Sequence, residues 1–256
     1  MMKVRQTNKK AWDKLVADQN RWTIPVSHEE IEAARQGNWQ VLLTPCKYVP
    51  EDWFPEMKDC NLLCLASGGG QQAPIFSAVG AIVTTFDNSP RMLEQDQLVA
   101  QREGLRIKTI EGDMVNLSIF EDESFDFIFN PVSNCFIPQI QPVWNEAFRV
   151  LRKGGAMVIG FVNPIEFCFD IEKAEKGIYH VKYSLPYSDL ESISEEDRIR
   201  LIGAEDPVEF SHTFEEQIGG QLKAGFLLTN FFEDFREEGK IKEIMPSFFA
   251  TKVIKP

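Results

Sequence analysis

Residues 62–72 read Leu62-Leu63-Cys64-Leu65-Ala66-Ser67-Gly68-Gly69-Gly70-Gln71-Gln72. A short apolar run ends in three glycines, and the spacing predicts a helix over 71–79. Strand, glycine turn and helix in that order form the first unit of a parallel α/β sheet. A second β-rich run at 81–86 closes on Asp87. From Gly68 to Asp87 the chain covers close to the ~20 residues that separate a nucleotide-binding glycine turn from its ribose-binding acid. Together they predict a site for an adenosine-containing cofactor. Asp87, at the end of the second strand, offers a bidentate ionic acceptor to two ribose hydroxyls.

The glycines serve that site in three ways. The turn needs unusual backbone angles, the ligand approaches the backbone closely, and the next helix start offers free N–H groups. A dinucleotide site points that helix start at a pyrophosphate. A methyl-donor site presents the same turn to the methionine part of S-adenosylmethionine. The turn alone leaves both open.

Further along, the alternation continues. Ser89-Pro90 reads as a cap with proline at the first helical position, and that helix stops at Gly104. Strands are expected at 105–110, 124–129 and 156–161, with a helix at 142–151 carrying Val143, Trp144, Ala147, Phe148 and Leu151 on one face. Helices at this spacing imply a doubly wound, mostly parallel sheet. Before it, a polar helix is expected at 8–20 and a capping box at Ser27 to Glu30, then an aromatic, proline-rich stretch at 38–59. Trp22, Trp39 and Trp53 in this leader are candidates to fold across the cofactor cleft.

The pattern lapses at 165–211, an acidic segment with Tyr179, Tyr183 and Tyr187, read as an insertion over the open end of the sheet. Thr213 to Glu216 is a second capping box, and Phe214, Ile218 and Leu222 mark the face of the helix it starts. Runs at 226–232 and 247–254 are expected to pair as an antiparallel hairpin at the sheet edge. The expected organisation is therefore a leader at 1–59, a cofactor-binding domain at 60–164 and 212–256, and a lid at 165–211.

The chain has 256 residues, 43% of them hydrophobic, and a formal net charge of −12. That balance argues against a nucleic-acid partner, which needs a basic surface. No apolar stretch approaches the ~18 residues of a membrane span, so a cytoplasmic protein is expected. Five scattered cysteines and three histidines form no metal-binding spacing, and no metal is expected.

The whole pattern resembles the class I S-adenosylmethionine-dependent methyltransferases, especially the methyltransferase type 11 group. Four matches carry the resemblance, in order. They are the glycine turn at 66–70, Asp87, Gly112-Asp113-Met114, and the strand Phe125-Asp126-Phe127-Ile128. Phe148 to Gly155 looks like that family's helix-and-turn signature. Ser67 to Gln72 and Asn130 to Phe136 are similar to a bacterial subgroup. The resemblance implies a Rossmann-like seven-stranded sheet with an antiparallel C-terminal strand and a small lid insertion. It also implies S-adenosylmethionine as cofactor and S-adenosylhomocysteine as product. By this likeness, Ala66, Ser67, Gly68, Gly69, Gly70, Gln71 and Gln72 line the methionine end. Asp87 and Asn88 hold the ribose, and Gly112, Asp113 and Met114 the adenine, with Met92 in the same set. Asn130, Pro131, Val132 and Ser133 sit beside the sulfonium. Two residues depart from the family. Ala66 replaces the usual first glycine, and Cys64 the acid of the first strand, for which Gln71 and Gln72 are candidate replacements.

The implied reaction is in-line methyl transfer to a small-molecule acceptor by a monomer or homodimer. It needs alignment and water exclusion, and a general base only for weakly acidic acceptors. His180, Tyr183, Tyr187 and His212 are the candidates for a base. The alternatives are an NAD-dependent oxidoreductase and a non-catalytic protein that binds the same cofactor.

Overall fold

The computed structural model describes residues 2–256. Two helices come first, α1 (Met2–Ala17) and α2 (His28–Arg35). Seven strands make a single sheet: β1 (Asn61–Leu65), β2 (Ile82–Asp87), β3 (Ile107–Glu111), β4 (Phe125–Asn130), β5 (Leu151–Val162), β6 (Leu227–Asp234) and β7 (Phe248–Ile254). Their spatial order is β3-β2-β1-β4-β5-β7-β6. The first five pair in parallel, and β7 runs antiparallel to both β5 and β6. This is the Rossmann-like arrangement that the sequence implies.

Helices α3 (Gln72–Ala78), α4 (Pro90–Glu103) and α5 (Gln141–Val150) connect the strands. Side chains alternate across β1 as the pleat requires. Leu62 and Cys64 join the core that holds Phe76, Val99 and Phe127, while Leu63 and Leu65 join the one around Trp144 and Phe161. The sequence signals for helix ends hold. Ser27 and Glu30 form a reciprocal capping box, Ser89 accepts from the Met92 N–H, and Gly104 ends α4 at φ 67°.

Two expectations about packing are corrected. Trp39 and Trp53 do not cross the cleft. Trp39 packs edge-on against Phe54 and Phe76, and Trp53 is buried against Phe232. These rings are anchors for the leader on the sheet, which is the commoner use of large apolar surface. The second correction concerns the segment after Thr213. Its capping box forms, with Thr213 and Glu216 bonded reciprocally. The helix then begins with a π turn (Glu215–Gly219) before α8 (Gly220–Ala224). Phe214 and Leu222 are exposed, and Gln217, Gly220 and Gln221 are buried instead. Across the π turn, Ile218 still packs on the core and Phe214 meets Phe249 edge-on, while Leu222 turns outward. Gly220 lies so close to Trp144 that a Cβ there would stand 2.7 Å from the indole Cδ1.

Two short helices, α6 (Ile171–Glu175) and α7 (Glu195–Leu201), lie between β5 and α8. The segment also carries isolated bridges, Phe169 with Val181 and Ser188 with Phe210. Among the described residues no helix is long and apolar enough to cross a membrane.

Candidate functional site

In an open parallel sheet, ligands bind outside the carboxyl ends of the strands, where the strand order reverses. That point lies between β1 and β4 here. A cavity of about 1360 Å³ opens there, lined by the loops after β1, β2, β3 and β4 and covered by parts of the leader and of 166–209.

The glycine turn forms one wall. The Ala66 N–H donates to the Phe86 carbonyl at 2.8 Å, and the Gly69 N–H to the Met92 carbonyl at 2.9 Å. Gly68 must be glycine, because a Cβ would stand 2.8 Å from that of Met92. Ala66 sits at φ 48°, the left-handed region that the usual glycine enters freely. Its methyl group is tolerated there at some conformational cost.

The acid missing from β1 has a substitute that the sequence reading overlooked. Asp96, wholly buried on α4, accepts the Gly70 N–H at 2.7 Å. Burial pushes this carboxyl up to about 8, against the lowering effect of the Gly70 and Thr85 donors. Burial also drives the neighbouring Cys64 thiol well above its ordinary value. The candidate substitutes behave differently. Gln71 donates to the Arg21 and Ile24 carbonyls of the leader. Gln72 accepts from Ser67 Oγ at 3.2 Å. The signal for Asp96 was available in the chain, as an acid in register with Met92 and Val99 on the buried stripe of α4.

Asp87 ends β2 with both oxygens anchored. Oδ2 accepts the Gly68 N–H at 3.0 Å, and Oδ1 accepts the Ser89 N–H at 2.9 Å. Burial raises its carboxyl, and the three nearby main-chain donors oppose that shift. Beyond it, Gly112 lies under Phe86, where a Cβ would be 1.9 Å from the ring. Asp113 Oδ1 accepts from the Val115 N–H at 3.2 Å, so the loop after β3 is held in a tight turn.

Of the cofactor residues expected from the sequence, Ala66, Ser67, Gly68, Gln71, Gln72, Asp87, Asn88, Met92, Gly112, Asp113, Met114, Pro131, Val132 and Ser133 line the cavity. Gly69, Gly70 and Asn130 do not line it. The two glycines face α4, and Asn130 is fully buried. Asn130 donates from Nδ2 to the Leu65 carbonyl at 2.8 Å and to Ser133 Oγ at 2.9 Å, so it shapes the loop from below.

Among the base candidates only Tyr187 reaches the cavity. His180 is exposed. Tyr183 packs against Tyr187, with ring centroids 5.3 Å apart. His212 is buried, and its Nε2 lies 3.0 Å from the carbonyls of both Asn134 and Ile137. Burial lowers its basicity, and as a neutral donor it braces the loop after β4.

Leader and insertion meet above the site at Asn8, which is buried. Its Nδ2 donates to the carbonyls of Phe136 (2.8 Å) and Val208 (3.0 Å), and its Oδ1 accepts the Val208 N–H at 2.7 Å. Arg5 and Asn88 also exchange two hydrogen bonds of 2.9 Å, which fix α1 beside the end of β2. Trp12 and Trp22 are the leader tryptophans that line the cavity. Of the two, the sequence points only to Trp22 as a cleft residue.

A family model described as a methyltransferase domain matches residues 63–159. Over 248 residues the chain is 47% identical to an uncharacterised methyltransferase of Bacillus subtilis, and the match covers 97% of both proteins. A sterol 24-C-methyltransferase of Neurospora crassa is 31% identical over 101 residues, which is only 26% of its length. Among solved structures, an S-adenosylmethionine-dependent methyltransferase from Mesorhizobium loti superposes with a TM-score of 0.60 at 16% identity, covering 79% of this chain and 94% of that one.

Proposed function

The chain belongs to the S-adenosylmethionine-dependent methyltransferases, and we propose that it passes the methyl group of that cofactor to a small-molecule acceptor by in-line displacement. The observation that carries this reading is the convergence of four strand-end loops on one cavity, with the Asp87 carboxylate already oriented within it.

The residues present suit the cofactor. Each Asp87 oxygen accepts one main-chain N–H and keeps lone-pair capacity for a ribose hydroxyl. Gly68 and Gly112 let Met92 and Phe86 pack directly against the two turns beside the cavity, where a Cβ would collide with them. Asp113 and Met114 would hold the adenine, and Ser67 to Gln72 the methionine end. Pro131 to Ser133 would lie beside the reacting sulfur, and Asn130 would fix their position through Ser133.

The cofactor supplies a methyl group on a sulfonium, a leaving group that needs no further activation. The protein's part is then to align the acceptor and keep water out. The leader helix and the insertion, joined at Asn8, suit the second task.

Calorimetric titration with S-adenosylhomocysteine, S-adenosylmethionine and NAD tests the reading. Both sulfur compounds are expected to bind, and Asp87→Ala is expected to weaken them about 30-fold or more, given ~1.5–3 kcal/mol for each hydrogen bond to a charged group. Binding of NAD in their place, or unchanged affinity in Asp87→Ala, would overturn it.

A further inference from the structure

We propose that the acceptor is an amine, which enters as its ammonium ion and is held in the far half of the cavity by the carboxylate of Glu209, the group that also takes its proton. The inference rests on the methyltransferase reading and names the substrate class of the same site.

Three segments distant in sequence converge at this end. The Phe210 N–H donates to the Cys135 carbonyl at 2.7 Å, so the strip at 208–210 lies against the loop that follows β4. The Glu209 N–H donates to Asp189 Oδ2 at 2.7 Å, and the Tyr187 hydroxyl donates to Asp189 Oδ1 at 2.9 Å. Cys135, Tyr187, Asp189 and Glu209 all line the cavity. Ser133, two residues before Cys135, also lines it and belongs to the loop assigned to the sulfur. The acid cluster is therefore part of the cavity that holds the methyl donor, and is not an isolated surface feature.

The two acids differ in what they have left to offer. Both oxygens of Asp189 are engaged, and that residue fixes the main chain of its neighbour. The Glu209 carboxylate accepts no hydrogen bond from any described residue and is only half-buried, open toward the cavity. Burial and the nearby Asp189 charge push it up to about 7, while Arg236 opposes the shift.

Charge decides the class of acceptor. The basic residues lining the cavity are Arg5, Arg21 and Arg236. Arg5 is bonded to Asn88, and Arg21 faces Glu237 at 3.5 Å and the Trp22 ring. Arg236 is paired with Glu166 at 3.0 Å and lies over Phe248. An anionic acceptor would meet no uncommitted cation, whereas an ammonium ion meets an uncommitted carboxylate. Phe167, Phe169 and Tyr179 complete the wall with aromatic surface, which favours cations as well as apolar bodies.

The chemistry agrees with that choice. An ammonium nitrogen has no free lone pair and must lose a proton before it attacks. Transfer of that proton to Glu209 converts an ion pair into two neutral groups, a change that a half-buried site favours. The same transfer from a phenol or alcohol only moves the negative charge from Glu209 to the acceptor oxygen, so no ion pair is neutralised. The nitrogen lone pair then forms the bond to the methyl carbon as the carbon–sulfur bond breaks with its electrons going to sulfur. The product leaves as a methylated ammonium, and Glu209 returns its proton to solvent.

Matched probes separate the classes. In the presence of saturating S-adenosylhomocysteine, calorimetry compares 2-phenylethylamine, 2-phenylethanol and phenylacetate, and then tryptamine with its alcohol and its acid. At least one amine is expected to bind about tenfold or more tightly than its two partners. Glu209→Gln is expected to lose about tenfold or more of that amine affinity, the effect of a charge-assisted bond, and to keep its affinity for S-adenosylhomocysteine. An alcohol or acid binding as tightly as its amine would overturn the proposal. So would the absence of binding by both amines, or an amine affinity unchanged in Glu209→Gln. The wild-type series stands even if the variant fails to fold. Failure of S-adenosylhomocysteine to bind the wild type would instead remove the methyltransferase reading beneath it.

Discussion

The turn at 66–70 is held by main-chain carbonyls and acid side chains of the two elements that follow it, β2 and α4, whereas the wall at 187–210 is tied across longer stretches of chain by the side chains of Asn8, Ser211 and Asp189 beside a few main-chain bonds. Ala66 and Gly69 each donate to a neighbouring element's carbonyl. On the other side, Val208 is held by Asn8 of the leader, the Tyr187 N–H donates to Ser211 Oγ at 2.7 Å, and Asp189 joins Tyr187 to Glu209. A main-chain network tolerates many side chains. A side-chain network depends on each of its members, so it is the half that a single truncation opens.

The contrast predicts its largest effect at Asn8. Asn8→Ala removes three hydrogen bonds, two of them buried, that tie α1 to Phe136 and Val208. At ~1 kcal/mol each, and with the Val208 and Phe136 groups left short of partners, the loss of stability should reach ~3 kcal/mol. Urea unfolding measures it. Once folded, the variant should bind S-adenosylhomocysteine within about threefold of wild type, because 66–72 and Asp87 keep their own supports. A large loss of that affinity, with little loss of stability, would break the contrast.

Within the turn, the Gly68 and Gly70 N–H groups depend on side chains, those of Asp87 and Asp96. Asp96→Leu leaves the Gly70 N–H buried without a partner and should cost ~2 kcal/mol, together with affinity for S-adenosylhomocysteine. Asp96→Asn keeps an acceptor and should be close to neutral. The two variants separate through pH. In the fold the Asp96 carboxyl lies at about 8, above the ~4 of an unfolded aspartate. The folded state therefore holds this proton more tightly. Its stabilising contribution is complete below about pH 4 and fades as pH rises through about 8, by at most ~1.4 kcal/mol per unit. Wild type should lose stability relative to Asp96→Asn across that window. Parallel pH profiles for the two proteins would refute a protonated Asp96.

The same contrast explains what could be read from the chain. Each strand end in the cofactor half carries local punctuation: glycines after β1, Asp87 and Ser89 after β2, Gly112 and Asp113 after β3. Backbone geometry fixes such residues within a few positions, so the sequence shows them. Asp96 was missed because its partner, Gly70, lies 26 residues away on another element. Glu209 and Asn8 were missed for the same reason, as the Asn8–Val208 bonds span 200 residues. For His212 and Trp53 the sequence leaves two uses open, because their types suit both chemistry and packing, and the fold shows that one braces a loop and the other anchors the leader. The stripe of Phe214, Ile218 and Leu222 holds only in part, since Ile218 reaches the core and Leu222 does not, across a π turn that no local propensity announces.

The smallest expected effect sits where the turn at 66–70 departs from its family. Ala66 holds φ 48°, at a cost of ~1–2 kcal/mol for an L residue. Ala66→Gly relieves that cost but gives the unfolded chain more freedom, which takes back ~0.4–1 kcal/mol. The net gain should be ~0.5 kcal/mol, a rise of roughly 1–2 °C in melting temperature for a chain of this size. The Ala66 N–H to Phe86 bond does not involve the methyl group, so affinity for S-adenosylhomocysteine should stay within about twofold. The methyl group does pack against the core around Leu65 and Met114. A clear loss of stability in Ala66→Gly would mean that this contact outweighs the backbone strain. The turn would then lean on a third side chain beside those of Asp87 and Asp96, and the difference between the two halves would be smaller still.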